Sequence, residues 1–460
     1  MKWNNLSLHK IKWICSFIVV LLPFFCSISN IFQKYLAVTL WAIMMWMFEL
    51  LPEEIVAIML PGLYILFDIT NYATAFSAWT TSTPWITLGG LMIGGMIVKS
   101  GLVLRIAYKS LLLTKGSLKG IVWGIVLTCT IFTPLIPSIM AKVALLVPVV
   151  IGICKVLKVK AKSATASALM LVVFFALWSP KMAFMTASTD SILTAGILEQ
   201  YLGVKITWLA WAKDMFIPGI LWMLVSIPLI YILRPQHLNL NKEYLELEYR
   251  KLGKITIDEK KTVTLITALL ILLIFSSWHK LPEGVLMLGI GCFGFFPGIG
   301  LLKSDDFSKI QFKVVFFLAG AVTIGAVASS IGITESVINF VQPYFEQMNS
   351  YELVMSIYIF SILANFLLNP LALIATLMIP IANLCSNLGY SATIGGYSMI
   401  MGFNQALFPY EIAPLMLVYG FGYLKLTHLI KVMVFRVVAG IIFMTVVTYP
   451  YWLYIGLLDK

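Results

Sequence analysis

Four ionisable residues stand where a strongly apolar chain should not hold them: Lys142, Lys181, Asp190 and Glu411. Lys142 lies in Thr133-Pro134-Leu135-Ile136-Pro137-Ser138-Ile139-Met140-Ala141-Lys142, an apolar stretch that runs on to Pro148 and holds three prolines. Proline removes a backbone donor and clashes with the preceding turn, so it breaks a helix. A lysine among apolar residues is costly unless it meets an anion, water or a pathway. A broken apolar helix with a polar break is how many transporters build a substrate site. A kinked helix whose lysine snorkels to the interface would be written in the same letters.

Lys181 stands in Trp178-Ser179-Pro180-Lys181, Asp190 in Ser188-Thr189-Asp190-Ser191, and Glu411 in Phe408-Pro409-Tyr410-Glu411-Ile412-Ala413-Pro414. Around one cavity the lysines would attract an anion and the acids would offset the lysines. Glu411 or Asp190 is the expected partner of Lys142. The same stretches carry Thr186, Ser191, Thr376, Asn404 and Gln405, which could coordinate a ligand or cap half-helix ends. The candidate substrate-binding residues are Ser138, Lys142, Ser188, Thr189, Asn369 and Pro414, and the candidate coupling residues are Lys142, Asp190 and Glu411. No catalytic set stands out. The four histidines are scattered, and the six cysteines fall in apolar runs without ligand spacing, so no metal site and no cofactor is expected.

The elements that must position these groups are set by a bilayer. Of 460 residues 60% are hydrophobic and 11% charged, against about 25% charged in soluble chains. Mean hydropathy is +0.96, and apolar runs of about 20 residues recur, the length of a spanning helix. Strand-like alternation is weak, which argues against a β-barrel. The basic residues 1–12 lead into an apolar run without a small-residue cleavage pattern, which predicts a first spanning helix.

Apolar spans fall near 13–31, 34–51, 54–67, 84–98, 164–200, 215–233, 262–278, 284–301, 312–330, 397–422 and 430–457. Residues 100–116 and 332–350 read as surface helices. Regions 119–157 and 351–395 read as hairpins, and 234–261 as a hydrophilic linker. With the N-terminus in the cytoplasm, the segments 1–12, 99–119, 155–162, 234–261, 303–313 and 425–436 hold 25 of the 32 Lys and Arg. That bias follows the positive-inside rule. It explains the net charge of +12 without nucleic acid, and it favours anionic lipid head groups as partners.

The two halves repeat. Trp85-Ile86-Thr87-Leu88-Gly89-Gly90 with Gly101-Leu102 matches Phe316-Phe317-Leu318-Ala319-Gly320-Ala321 with Gly332-Ile333 at an offset of 231. The stretch ending at Pro148 matches the one ending at Pro380 at 232, and Ile192-Leu193-Thr194-Ala195-Gly196 matches Met416-Leu417-Val418-Tyr419-Gly420 at 224. The first hairpin opens to the cytoplasm and the second outside, so the copies are inverted, the pattern of secondary carriers with a midplane site.

These blocks, with the ending Val418-Tyr419-Gly420-Phe421-Gly422-Tyr423-Leu424-Lys425, resemble the divalent anion:sodium symporter family over about residues 34–457. The resemblance implies an all-α polytopic membrane protein with about eleven spanning helices and two re-entrant hairpins in an inverted repeat. It also implies a homodimer and an elevator mechanism. The divisions are then 1–118 (scaffold, first repeat), 119–233 (transport region), 234–261 (cytoplasmic linker), 262–350 (scaffold, second repeat) and 351–460 (transport region). The family's Ser-Asn-Thr hairpin tips read here Ser138-Ile139-Met140 and Pro370-Leu371-Ala372, and of its Thr-Pro-Pro-Asn breaks Pro414 is retained. Both tip asparagines are absent, so sodium coupling is left open.

The expected function is secondary transport of a small di- or tricarboxylate-like anion across a plasma membrane, by exchange or proton linkage. The competing readings are a non-transporting receptor or scaffold on the same fold, and a membrane-embedded enzyme.

Overall fold

A computed structural model describes residues 2–114, 117–238 and 242–459. Lys460 and the middle of the polar linker, 239–241, lie outside them. Among the described residues seven helices are long and apolar enough to cross a membrane, eight if the bent pair Ser82–Lys99 and Leu102–Leu113 is one span. Leu118–Phe132, Glu283–Phe293 and Ser350–Ala364 are apolar but shorter. The fold is all-α.

Two helices form the core. Ala164–Trp178 is buried along nearly its whole length, and Ala392–Phe403 along all of it. A helix apolar on every face belongs inside. Each is served by one hairpin. The arms Leu118–Phe132 and Ile139–Val156 both lie on Ala164–Trp178, and the arms Ser350–Ala364 and Pro370–Asn387 both lie on Ala392–Phe403. Each core helix then breaks. The half-helix after the first break, Thr189–Leu202, packs on the second hairpin, and the one after the second break, Ala413–Gly420, packs on the first hairpin. The repeats are thus interlocked around the two breaks.

The outer helices are exchanged in the same way. Leu51-Pro52-Glu53 opens Glu53–Leu66 and Leu281-Pro282-Glu283 opens Glu283–Phe293, a match at an offset of 230 that sequence reasoning overlooked. Ser82–Lys99 packs on Glu283–Phe293, and Phe312–Ile331 on Glu53–Leu66. Small residues permit this approach: a Cβ on Gly89 would strike the Met287 backbone, and one on Gly320 the Ala57 carbonyl. Gly90 and Gly94 face Pro137 and Ile136 of the first hairpin turn, so these glycines serve contacts within the chain. Gly101 (φ 81°) and Gly332 (φ 76°) end the two small-residue helices in the left-handed region, which glycine enters without steric cost. Replacing Gly89 with Val should destabilise the protein by about 1–3 kcal/mol. Gly62→Ala, with open space around it, should not. Melting temperatures of the detergent-solubilised variants test the contrast.

Two sequence expectations change. The run 13–31 is not one helix: Lys2–Leu21 gives way to a turn at Leu22–Phe25 that holds Pro23, and the chain is extended at Cys26. The run 164–200 is broken as the stretch Ser188-Thr189-Asp190-Ser191 implies, with Pro180 in the irregular segment between its two helices. The linker is partly structured. Arg105 donates to Glu259 at 2.6 Å and to the carbonyls of Leu252, Gly253 and Lys254 at 3.0–3.2 Å, fastening the surface helix Leu102–Leu113 to the chain after Lys242–Lys251.

Candidate functional site

The hairpin turns end in capped helices. Ser138 Oγ accepts from Ala141 N at 3.2 Å and opens Ile139–Val156. Asn369 Oδ1 accepts from Ala372 N at 2.9 Å and opens Pro370–Asn387. Cap to cap the offset is 231, so the counterpart of Ser138 is Asn369 and not Pro370. The second tip therefore reads Asn369-Pro370-Leu371, with an asparagine at the position of Ser138 and a proline at that of Ile139. Asn369 Nδ2 donates to Glu53 Oε1 at 2.8 Å.

From Ile139–Val156 the side chain of Lys142 runs inward, 1% exposed. Its ammonium donates to the Ala187 carbonyl at 3.2 Å, immediately before Ser188, which caps Thr189–Leu202. Thr186 ties the same segment to the first hairpin through the Pro134 carbonyl at 2.9 Å. Asp190 sits in the first turn of Thr189–Leu202, where the helix dipole favours an acid. Its buried partner is Lys181, whose ammonium also lies 3.3 Å from the centre of the Trp178 ring. Here the sequence expectation is corrected. Asp190 is engaged by Lys181, because the irregular segment after Trp178 folds Lys181 back onto that first turn. Lys142 still feels both charges electrostatically.

Glu411 belongs to a separate arrangement. Its carboxylate accepts from the backbone of Leu407 and Phe408 at 3.1 and 2.8 Å and from Asn365 Nδ2 at 3.4 Å. It is therefore not the ion-pair partner of Lys142. Glu411 borders a cavity of about 620 Å³ whose lining includes Met140 of the first tip, Asn365 and Asn369 of the second, Glu49 and Glu53. The two tips thus face one space. Ser138 lines another cavity, of about 400 Å³, beside Lys99, Asp306 and Lys309. There the Lys99 ammonium, 2.5 Å away, holds the Asp306 carboxyl below its usual range. Thr189 starts its helix half-buried, and Pro414 opens Ala413–Gly420 without a polar group to offer.

Sequence reasoning placed Arg436 in a cytoplasmic flank. It is instead fully buried within Leu426–Phe443. Nη1 donates to Asn404 O at 2.6 Å and Gln405 Oε1 at 3.2 Å, and Nη2 donates to Asn404 Oδ1 at 2.6 Å and Ser179 Oγ at 3.1 Å. Phe175 and Trp222 lie 5.2 and 4.8 Å from the guanidinium carbon. The available signal was an arginine in the middle of an apolar helix. Asn365 and Glu53 were also missed, and the repeated Leu-Pro-Glu would have marked the latter.

The sequence pattern described as "Sodium:sulfate symporter transmembrane region" matches residues 4–458. The chain belongs to this family. Proteins that the chain resembles include chloroplastic dicarboxylate transporter 1 of Spinacia oleracea, 27% identical over 53% of this chain and 44% of that one. The match thus spans less than half of that relative's length. The L-tartrate/succinate antiporter of Escherichia coli (strain K12) is 23% identical over 94% of this chain and 96% of its own. Among solved structures, the YdaH transporter of Alcanivorax borkumensis, whose topology is described as unusual, aligns with a TM-score of 0.56. It is 14% identical, and the alignment covers 86% of this chain and 90% of that one. This likeness concerns the fold alone. The sodium:sulfate symporter family is one of multi-pass membrane transporters.

Proposed function

We propose that the protein is a secondary carrier of a small dianion of the dicarboxylate class, working by exchange or proton linkage across a plasma membrane. The observation that carries the reading is the buried charge. Lys142, Lys181 and Arg436 are buried where two breaks and a hairpin converge, with Asp190 paired to Lys181 and Glu411 buried at the second break, three basic groups against two acids. An apolar interior keeps such an excess only when an anion or a pathway compensates it. The capped N-termini at Ser138 and Ser188 add their partial positive charge beside it. A tethered ammonium, Lys142, takes over part of the neutralisation that the family's description assigns to sodium. The names of the tartrate/succinate and dicarboxylate relatives support the substrate class.

The transport region, 119–233 with 351–460, moves against a homodimeric scaffold, 1–118 with 262–350, as an elevator. The hydrogen bond from Asn369 to Glu53 and the cavities at both tips lie along that boundary. Proteoliposomes loaded with unlabelled succinate test the reading. Labelled succinate should enter them about tenfold faster than empty vesicles, by mass action of exchange, and equally well when sodium is replaced by choline. An imposed pH gradient distinguishes exchange from proton linkage. Uptake strictly dependent on sodium, or no uptake of succinate, tartrate or sulfate, sinks it.

A further inference from the structure

Two core helices end against one another at the breaks. Ala164–Trp178 terminates at Ser179 and Ala392–Phe403 at Asn404. Their ends are stitched by Trp178 Nε1 to Asn404 O at 2.9 Å and Asn404 Nδ2 to Trp178 O at 3.0 Å. Helix C-termini carry partial negative charge, and two of them abutting in an apolar interior call for a cation. In broken-helix carriers that cation is commonly an ion from solution held by unwound carbonyls.

Here the seat is filled from within. The Arg436 guanidinium meets four oxygens at 2.6–3.2 Å: the Asn404 carbonyl, the Asn404 and Gln405 amides and the Ser179 hydroxyl. None of these is a carboxylate. An oxygen-only set of carbonyl, amide and hydroxyl groups is the kind a hard cation takes. The seat draws on both repeats and on a third helix. Gly440, one turn beyond Arg436, leaves the room in which the Gln405 amide approaches, since a Cβ there would lie 2.7 Å from Gln405 Nε2.

We infer that Arg436 is a tethered replacement for a small dissolved cation, and that removing its side chain turns the seat into a site for such a cation. The transport arm of the test rests on the carrier reading above; the stability arm does not. In detergent, the melting temperature of the wild type should be indifferent to millimolar sodium, lithium or guanidinium replacing choline. Arg436→Ala should melt lower in choline and be raised, saturably, by guanidinium or by one of the alkali cations. In succinate-loaded proteoliposomes the same variant should lose about tenfold or more of its uptake in choline, as expected when a buried charge contact is truncated, and recover with the cation that raises its melting temperature. Arg436→Lys keeps the charge and should take up succinate without added cation. A folded Arg436→Ala protein whose melting temperature ignores all three cations overturns the inference. So does a wild type that shows the same cation dependence. Should Arg436→Ala fold in none of these salts, an active Arg436→Lys protein upholds the need for charge at this seat, and failure of both variants with guanidinium present overturns it.

Discussion

Lys142→Ala is expected to lower uptake of labelled succinate by about 100-fold, the ~3 kcal/mol that a desolvated charge contact contributes when one partner is removed. The ammonium is buried, its one hydrogen bond goes to a backbone carbonyl, and it lies beside the capped start of Thr189–Leu202. Losing it leaves no carboxylate stranded, since Asp190 keeps Lys181. The variant should therefore fold while failing to bind the dianion. Lys142→Arg restores charge but not shape, because a planar fork is no substitute for a compact ammonium, and partial recovery at most is expected. Initial uptake rates in sodium-free proteoliposomes decide it. A Lys142→Ala protein that transports at the wild-type rate there removes Lys142 from the site.

Asp190→Asn should produce the largest loss of stability in the molecule. Lys181 has no exposed surface, and the carboxylate of Asp190 is its ion-pair partner. Breaking a buried pair costs about 3–5 kcal/mol, because the remaining charge is uncompensated. A sharply lower melting temperature, or failure to accumulate in the membrane, is the expected outcome. Removing both charges at once, as Lys181→Met with Asp190→Leu, should return much of the stability without returning transport. An Asp190→Asn protein that melts with the wild type contradicts the pairing.

The residues legible in sequence were those whose types conflict with their surroundings. Lys142, Lys181, Asp190 and Glu411 announced themselves as charges in apolar runs, and the glycine-rich blocks gave the repeat offset that the caps Ser138 and Asn369 obey to the residue. Pairing was not legible. Whether Asp190 meets Lys142 or Lys181 depends on how the irregular segment after Trp178 folds back, and no spacing rule encodes that. Arg436 was misplaced because a charge near a basic flank reads as part of it; only packing among Phe175, Trp222 and the two helix ends draws it inside. Glu53 was overlooked because an acid after Leu-Pro looks like an ordinary helix start, which it also is.

The cations at the breaks are covalently attached, and that has an electrical consequence. Lys142, Lys181 and Arg436 against Asp190 give a formal charge of +2, or +1 if an ionised Glu411 moves with them. In the elevator proposed above, an unloaded transport region carries positive charge across the membrane field, at about 2.3 kcal/mol per elementary charge per 100 mV. Loaded with a dianion, it carries between zero and one negative charge. With Glu411 neutral the resting voltage acts on the empty carrier and hardly on the full one; with Glu411 ionised it acts on both equally and with opposite sign. Homoexchange, in which each crossing is loaded, should generate no current, while net movement, which requires an empty return, should be slowed or sped by voltage in proportion to the charge that is tethered.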